Sequence, residues 1–318
     1  MMFAGDLSLC LVLTIAAILP IISAKSNEFI SGHAFYNLAQ WNTETLYRVN
    51  FNPSSVFKDG DIIFFHCMQG LESKWLKRLR QEHSETKNKY TFIAHNCDWS
   101  FTRSPQDLEV LKQFIHRIYT VNNACGKACF PFVQTIPIGF VDSHLHPDKA
   151  HHVFEEVASR ALPKEHLVFM NFKMHDVQSR HRTIPDPKRA QCRDYFADKP
   201  WVLFKDAGLS PPETYALTAK AKYVVSPRGA GTDCHRIYEA IYLGAVPIVE
   251  SFDLDHFYGH LPVIIVDEWS DITESYLIEN YATHKQMLDD WKAKYSNWTQ
   301  PEFWMSGGDL GPFGGGEG

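Results

Sequence analysis

Tyr223-Val224-Val225-Ser226-Pro227-Arg228-Gly229-Ala230-Gly231-Thr232-Asp233-Cys234-His235-Arg236-Ile237-Tyr238-Glu239-Ala240 reads as strand, loop and helix in succession. An apolar run of β-formers opens it. The loop holds Gly229 and Gly231, which permit positive φ and a close approach of backbone to a ligand. The start of the helix then offers backbone amides, and its dipole favours an anion there. Arg228 closes the strand, and a guanidinium can grip two phosphate oxygens at once. Glu239 falls about two turns into the helix, counted from Thr232, where it can accept from a pair of sugar hydroxyls. The same pattern also fits a plain structural turn with Arg228 facing solvent.

The flanking elements keep the alternation. Residues 61–66 read as a buried strand, and 71–80 as a helix with Leu71, Trp75, Leu76 and Leu79 on one face. Residues 90–94 form the next strand. Ser104-Pro105 opens a helix to about His116, because Ser caps and Pro suits the first turn. Strands at 118–121 and 133–136 and a helix at 149–158 follow. Residues 55–160 therefore read βαβαβ, a parallel sheet covered by helices. The pattern repeats, with strands at 166–172, 201–204, 223–225, 246–249 and 263–266. Helices are expected at 187–196, 211–220, 232–243, 273–281 and 285–295. The expected fold is α/β, with two Rossmann-like domains facing a cleft. Residues 30–162 form the N-terminal domain and 163–300 the C-terminal one, joined at Leu162-Pro163-Lys164-Glu165. A Gly-rich tail, 305–318, lacks a core pattern and is expected to be disordered. In open parallel sheets, ligands sit at the carboxyl ends of the strands, which places the chemistry in the cleft.

Composition narrows the classes. The chain has 318 residues and a net charge of 31 − 37 = −6, so it lacks the cationic surplus of a general nucleic-acid coat. With 45% hydrophobic and 21% charged residues it is globular rather than disordered. One long apolar run, residues 7–22, precedes Ser23-Ala24. It is short for a membrane span of about 20 residues and favours a secretory signal peptide at residues 1–24. The leader has no Lys or Arg and carries Asp6, so a signal anchor stays open. Either reading directs the chain into the secretory pathway, to the Golgi or ER lumen or outside the cell. Beyond Cys10 stand Cys67, Cys97, Cys125, Cys129, Cys192 and Cys234. That even set permits three disulfides, with Cys125–Cys129 the foremost pair and buried thiols the alternative. Asn297-Trp298-Thr299 is a glycosylation sequon.

The central segment resembles the exostosin-like glycosyltransferases. The resemblance rests on Pro227-Arg228-Gly229, Arg236, Glu239-Ala240 and Gly244-Ala245-Val246-Pro247-Ile248-Val249, and continues into Leu261-Pro262-Val263 and Asp267-Glu268-Trp269-Ser270. It covers motifs over about residues 200–275 and architecture alone over 55–200. It implies a GT-B-type fold whose C-terminal domain binds a nucleotide-sugar, a UDP-sugar foremost, and whose N-terminal domain binds a glycan or glycoprotein acceptor. On that likeness Arg228 and the amides of Gly229, Ala230, Gly231 and Thr232 hold the diphosphate. Glu239 holds the ribose, and Arg236 or His235 reaches phosphate or sugar. No metal or other cofactor is expected, since protein cations and the helix dipole neutralise the leaving diphosphate. Arg180 and Arg182 are further phosphate candidates, or else part of a solvated basic loop with Lys188 and Arg189.

Inverting transfer needs a base for the acceptor hydroxyl, at a strand end of the N-terminal domain. His66, His95 and Asp98 qualify, with Asp98 preferred and Trp99 beside it as a sugar-stacking platform. A capping or buried Asp98, and a retaining mechanism with no dedicated base, remain open. His66-Cys67 lacks the arginine that a cysteine phosphatase needs six residues on, where Ser73 stands. His144, His146, His151 and His152, with Asp142 or Asp148, match no closed zinc spacing. Alternatives are a fucosyltransferase-like enzyme using a GDP-sugar, a catalytically silent carbohydrate-binding protein on the same fold, and a metal-dependent hydrolase.

Overall fold

The computed structural model describes residues 29–42, 57–66, 74–142, 146, 149, 151–174, 176–179, 182–185, 187–206 and 208–306. The leader expected at 1–24 and residues 307–318 of the Gly-rich tail lie outside the described residues. No helix among the described residues is long and apolar enough to cross a membrane.

The first half opens with α1 (Gly32–Asn37) and β1 (Trp41–Asn42), which the sequence reading did not anticipate. β2 (Ile62–His66), α2 (Lys74–Thr86), β3 (Tyr90–His95), α3 (Pro105–Leu111), β4 (Ile115–Thr120) and β5 (Val133–Thr135) follow. The five strands are parallel, in the spatial order β1-β2-β3-β4-β5. Ser104 caps α3 as expected, its hydroxyl accepting from the Asp107 amide. The helix ends at Leu111 rather than near His116, because Phe114 and Ile115 are drawn into the buried strand side. A short 3-10 turn, Gly126–Cys129, carries the Cys125–Cys129 disulfide, while Cys192 and Cys234 are free thiols.

The second half begins after α4 (His151–Ser159) with β6 (His166–Met170). An antiparallel hairpin, β7 (Asp176–Ser179) and β8 (Arg182–Pro185), was not foreseen. Then come α5 (Pro187–Phe196), β9 (Val202–Phe204), α6 (Pro211–Lys220), β10 (Ala221–Val225), α7 (His235–Tyr242) and β11 (Val246–Glu250). α8 (Asp255–Tyr258), β12 (Ile264–Val266), α9 (Glu274–Lys294) and α10 (Pro301–Met305) complete it. The second sheet is also parallel, in the order β12-β11-β10-β6-β9. The two helices expected at 273–281 and 285–295 are one. Thr273 caps its start, and Ala282-Thr283-His284 contains no helix breaker. The architecture is thus α/β with two parallel sheets, as expected.

Packing follows from topology. Crossovers between parallel neighbours are right-handed, so an order that never reverses puts successive helices on one face. In the first sheet α2 and α3 cover that face, where Leu79, Leu108 and Leu111 pack with Ile63, Phe65, Phe92 and Ala94. The other face, with Ile62, Phe64, Ile93 and Tyr119, joins a larger core shared with the second half. α1 packs there through Phe35 and Tyr36, and α10 returns from far along the chain. The Tyr119 hydroxyl donates to the carbonyl of Met305.

One junction ties residues 30 and 299 to the segment after β5. The Ile30 amide donates to the Thr299 carbonyl, and the Phe140 amide to the Ile30 carbonyl, each at 2.7 Å. Gly139 makes this possible, with φ at +69° and the Ile30 carbonyl oxygen 2.2 Å from where a Cβ would stand.

Candidate functional site

In the second sheet the chain runs from β6 outward to β9, then crosses back to β10 on the other side of β6. Where successive connections leave adjacent strands in opposite directions, a crevice opens beyond the strands' carboxyl ends. Here it lies between Asn171-Phe172, after β6, and the Ser226–Thr232 segment after β10. The quoted glycine loop therefore sits at a topological switch point.

Three guanidinium groups converge on that loop. Arg189, from α5, donates its Nε to the Arg228 carbonyl at 2.9 Å and its Nη1 to the Lys173 carbonyl at 2.8 Å. Its Nη2 lies 2.7 Å from the position a Cβ would take on Gly229. Arg236, in the first turn of α7, donates its Nε to the Asn171 carbonyl at 3.1 Å. The Phe172 ring lies 5.7 Å from both groups. Arg228 stacks over the exposed ring of Phe252 at 4.0 Å. Two buried atoms here have no partner among the described residues, Arg236 Nη1 and Ser226 Oγ. Ser226 borders a small hollow lined by Arg228, Thr232, Glu250, Phe252 and Tyr258. An orphaned buried donor costs roughly 1–3 kcal/mol.

The loop's amides differ from expectation. The Gly229 amide donates to the Gly231 carbonyl, and the amides after Thr232 are also taken. Asp233 N donates to Asn122 Oδ1 at 2.8 Å and Cys234 N to Asp233 Oδ1 at 2.9 Å. Ala230, Gly231 and Thr232 are the loop amides without a hydrogen bond to the described residues.

Asp233 escaped the sequence reading. Its buried carboxylate accepts from Ile138 N, Tyr238 OH, Tyr258 OH and Cys234 N, at 2.6 to 3.1 Å. Burial pushes its pKa up to about 6 against these four donors. His235 was expected to reach phosphate or sugar. Instead its Nδ1 donates to the Gly139 carbonyl at 2.7 Å, and burial lowers its pKa to about 4. Both residues join the loop to the Ile138-Gly139 segment after β5. Glu239 is half-buried on α7, and burial raises its carboxyl above the usual range although Arg236 and Lys149 pull it down.

The first sheet presents its carboxyl edge to this loop. A Cβ on Gly231 would lie 3.0 Å from Asn122 Nδ2 and 3.4 Å from the Cα of Asp98. Asp98 is exposed, and Trp99 beside it is 53% exposed. The structure therefore brings Asp98 against the glycine loop. His95 is a correction. It is 1% exposed, its Nε2 donates to the Pro137 carbonyl at 3.1 Å, and its Nδ1 accepts from the Asn96 amide at 2.8 Å. Burial lowers its pKa, and both ring nitrogens are engaged inside the protein. His66 is exposed at the end of β2, paired in register with His95 and 6.5 Å from the Tyr36 ring. Arg180 lies outside the described residues, and Arg182 is described only as the first residue of β8. Of the basic loop considered with them, Arg189 reaches the glycine loop, and Lys188 pairs with Glu250 of the hollow at 2.7 Å. Among the described residues no group of three His, Cys, Asp or Glu is gathered to hold a metal.

No protein-family model matches the chain, and no curated protein sequence matches it. Solved structures do match. The chain is similar to one in a GtfA/B complex, with 10% identity over 80% of this chain and 57% of that one, at a TM-score of 0.41. It thus spans under two thirds of that protein's length. It is similar to a glycosyltransferase from Rickettsia africae ESF-5, with 9% identity over 96% of this chain and 81% of that one, at 0.42. A third is an α,α-trehalose-phosphate synthase (UDP-forming) from Burkholderia vietnamiensis, with 14% identity over 80% and 75%, at 0.44.

Proposed function

We propose that the protein is a glycosyltransferase that takes a sugar from a nucleotide-sugar, a UDP-sugar foremost, and passes it to a glycan or glycoprotein acceptor in the secretory pathway. One observation carries the reading. Arg189, Arg228 and Arg236 converge on a switch-point loop that has two orphaned buried polar atoms at or beside it, Ser226 Oγ and Arg236 Nη1, and that meets Asp98 across the interface. That is the charge pattern a diphosphate leaving group needs.

In this reading the diphosphate lies at Ala230–Thr232, its charge met by the guanidinium groups and its oxygens by the orphaned donors. Glu239 accepts from the ribose hydroxyls. Its raised pKa is consistent with a half-buried carboxyl that gains from a hydroxyl donor. Asp98 takes the proton from the acceptor hydroxyl while that oxygen attacks the anomeric carbon. The bond from that carbon to the diphosphate breaks, and the diphosphate leaves with the electron pair. Trp99 offers its face to the acceptor sugar. Three fixed cations at the leaving group make a metal unnecessary in this scheme.

A thermal-shift panel with UDP, GDP and CMP, each with and without EDTA, tests it on the protein as expressed. Stabilisation by UDP that survives EDTA is expected, growing with ligand concentration. GDP selectivity would transfer the assignment to a fucosyltransferase-like donor. Silence with every nucleotide would overturn the donor site and leave a glycan-binding module, and loss of the response in EDTA would overturn metal independence.

A further inference from the structure

We propose that Asn122 is a positioning residue that clamps the Asp98 loop of the first half to the glycine loop of the second, so that nucleotide binding sets the place of Asp98. This rests on the donor-loop reading above and deepens it.

Asn122 is 0% exposed and lies two residues beyond the end of β4. Its side chain makes no bond within its own strand. Oδ1 accepts from the Asp233 amide at 2.8 Å, and Nδ2 donates to the Cys97 carbonyl at 2.6 Å. Those partners lie 111 and 25 residues away in sequence. One flanks Gly231-Thr232, and the other immediately precedes Asp98. The Asn122 carbonyl also accepts from the Phe101 amide at 2.8 Å, so the loop carrying Asp98 is held at both ends by this one residue.

The position is demanding in three ways. Its φ is +51°, a left-handed conformation that asparagine tolerates better than most residues. The two bonds need a donor and an acceptor on one short side chain, which Asp and Leu do not offer. From the far side, a Cβ on Gly231 would crowd Asn122 Nδ2 at 3.0 Å and come into contact with Asp98 Cα at 3.4 Å, so the three loops are closely packed. The receiving end is rigid as well, because the Asp233 carboxylate is fixed by four donors. A displacement of the glycine loop by bound diphosphate is therefore passed to Cys97-Asp98 through one amide side chain.

Two variants test this. Asn122→Gly keeps the left-handed backbone accessible and deletes both side-chain bonds. Asn122→Asp keeps the acceptor for Asp233 and deletes the donor to Cys97. Both are expected to bind UDP within roughly 3-fold of wild type by calorimetry, while Asn122→Gly loses on the order of 30-fold or more in kcat with donor KM little changed. The ratio of sugar transfer to donor hydrolysis falls with it, because water needs no positioned base as much as a bound hydroxyl does. A packing role alone would lower Tm and leave that ratio intact. Unchanged kcat and ratio in Asn122→Gly would overturn the clamp.

Hydrogen exchange separates this from failure of the donor site. In wild type, UDP is expected to slow exchange over residues 97–101 as well as 229–234, and in Asn122→Gly over 229–234 alone. If UDP leaves wild type unaffected, the donor reading falls. The clamp is then judged without ligand, where Asn122→Gly must speed exchange at Asp233 and over 97–101 together, and faster exchange at one alone refutes it.

Discussion

Both sheets have five parallel strands and meet at their carboxyl edges, yet only one of them makes a crevice by itself. The second sheet reverses direction between β6 and β10, and its glycine loop falls where two connections part. The first sheet runs β1 to β5 without reversing, so its crossover helices share one face and its carboxyl edge carries loops without a crevice. It brings Asp98 and Asn122 against the glycine loop of the other half. Among the described residues its second face is covered by α1, by α10 and by the core it shares with the second half. The halves look alike in composition of elements and differ in self-sufficiency.

The sharpest way to break that comparison is to end the chain at Gln300. This removes buried Phe303, Trp304 and Met305 and bares the Tyr119 face. Losing two such aromatics costs upwards of about 6 kcal/mol, so the first half is expected to unfold, read by loss of the cooperative thermal transition. A native first half after that truncation would show the sheet to be independent after all. Next in size, Asp98→Asn is expected to lower kcat by roughly 10²–10⁴-fold with nucleotide affinity intact, as for loss of a general base. Full turnover would remove Asp98 from that role and leave the first half with binding only.

Arg236→Ala is expected to weaken nucleotide affinity by about 2 kcal/mol, or roughly 30-fold, the scale of a hydrogen bond to a charged group. Arg228→Ala, whose guanidinium stacks on exposed Phe252, should lose less. Wild-type affinity in both variants, measured by calorimetry, would refute the donor crevice.

The smallest effect concerns pH. Asp233 has a pKa raised to about 6, so folded protein binds its proton more readily than unfolded, and its contribution to stability is lost as pH rises from the usual carboxylate range to about 6. His235 has a pKa lowered to about 4, so its contribution is present near pH 6.5 and lost as pH falls toward 4. Two residues apart, they oppose each other over the same window. Urea denaturation at pH 4.5 and 6.5 should therefore show stability rising with pH in Asp233→Asn and falling with pH in His235→Asn. Parallel slopes in the two variants would sink this reading.

What was legible in the sequence was local. Apolar runs marked the central strands, prolines and capping serines marked α3 and α6, and the glycine–arginine pattern marked the loop that proves to lie at the switch point. What was not legible depends on distant pairs. Arg189 read as part of a solvated loop, because nothing local shows that α5 places it on the Arg228 carbonyl. His95 read as a base, since a strand-end histidine looks the same whether its nitrogens face solvent or Pro137. Asp233 and Asn122 carried no motif, and their bond spans 111 residues. β1 and the β7–β8 hairpin were missed for a related reason, being short elements whose pairing, not their composition, makes them strands.

The return of α10 onto the first sheet has a consequence for synthesis. Strands β2 to β5 leave the ribosome long before Pro301–Met305, so a nascent chain that has emerged only as far as β12 carries a sheet with one greasy face open to solvent. The first half of such a chain should stay protease-sensitive when a stalled chain has emerged only to Val266, and become resistant in the released chain. Resistance already at the earlier stall would mean that α1 alone can shield that face.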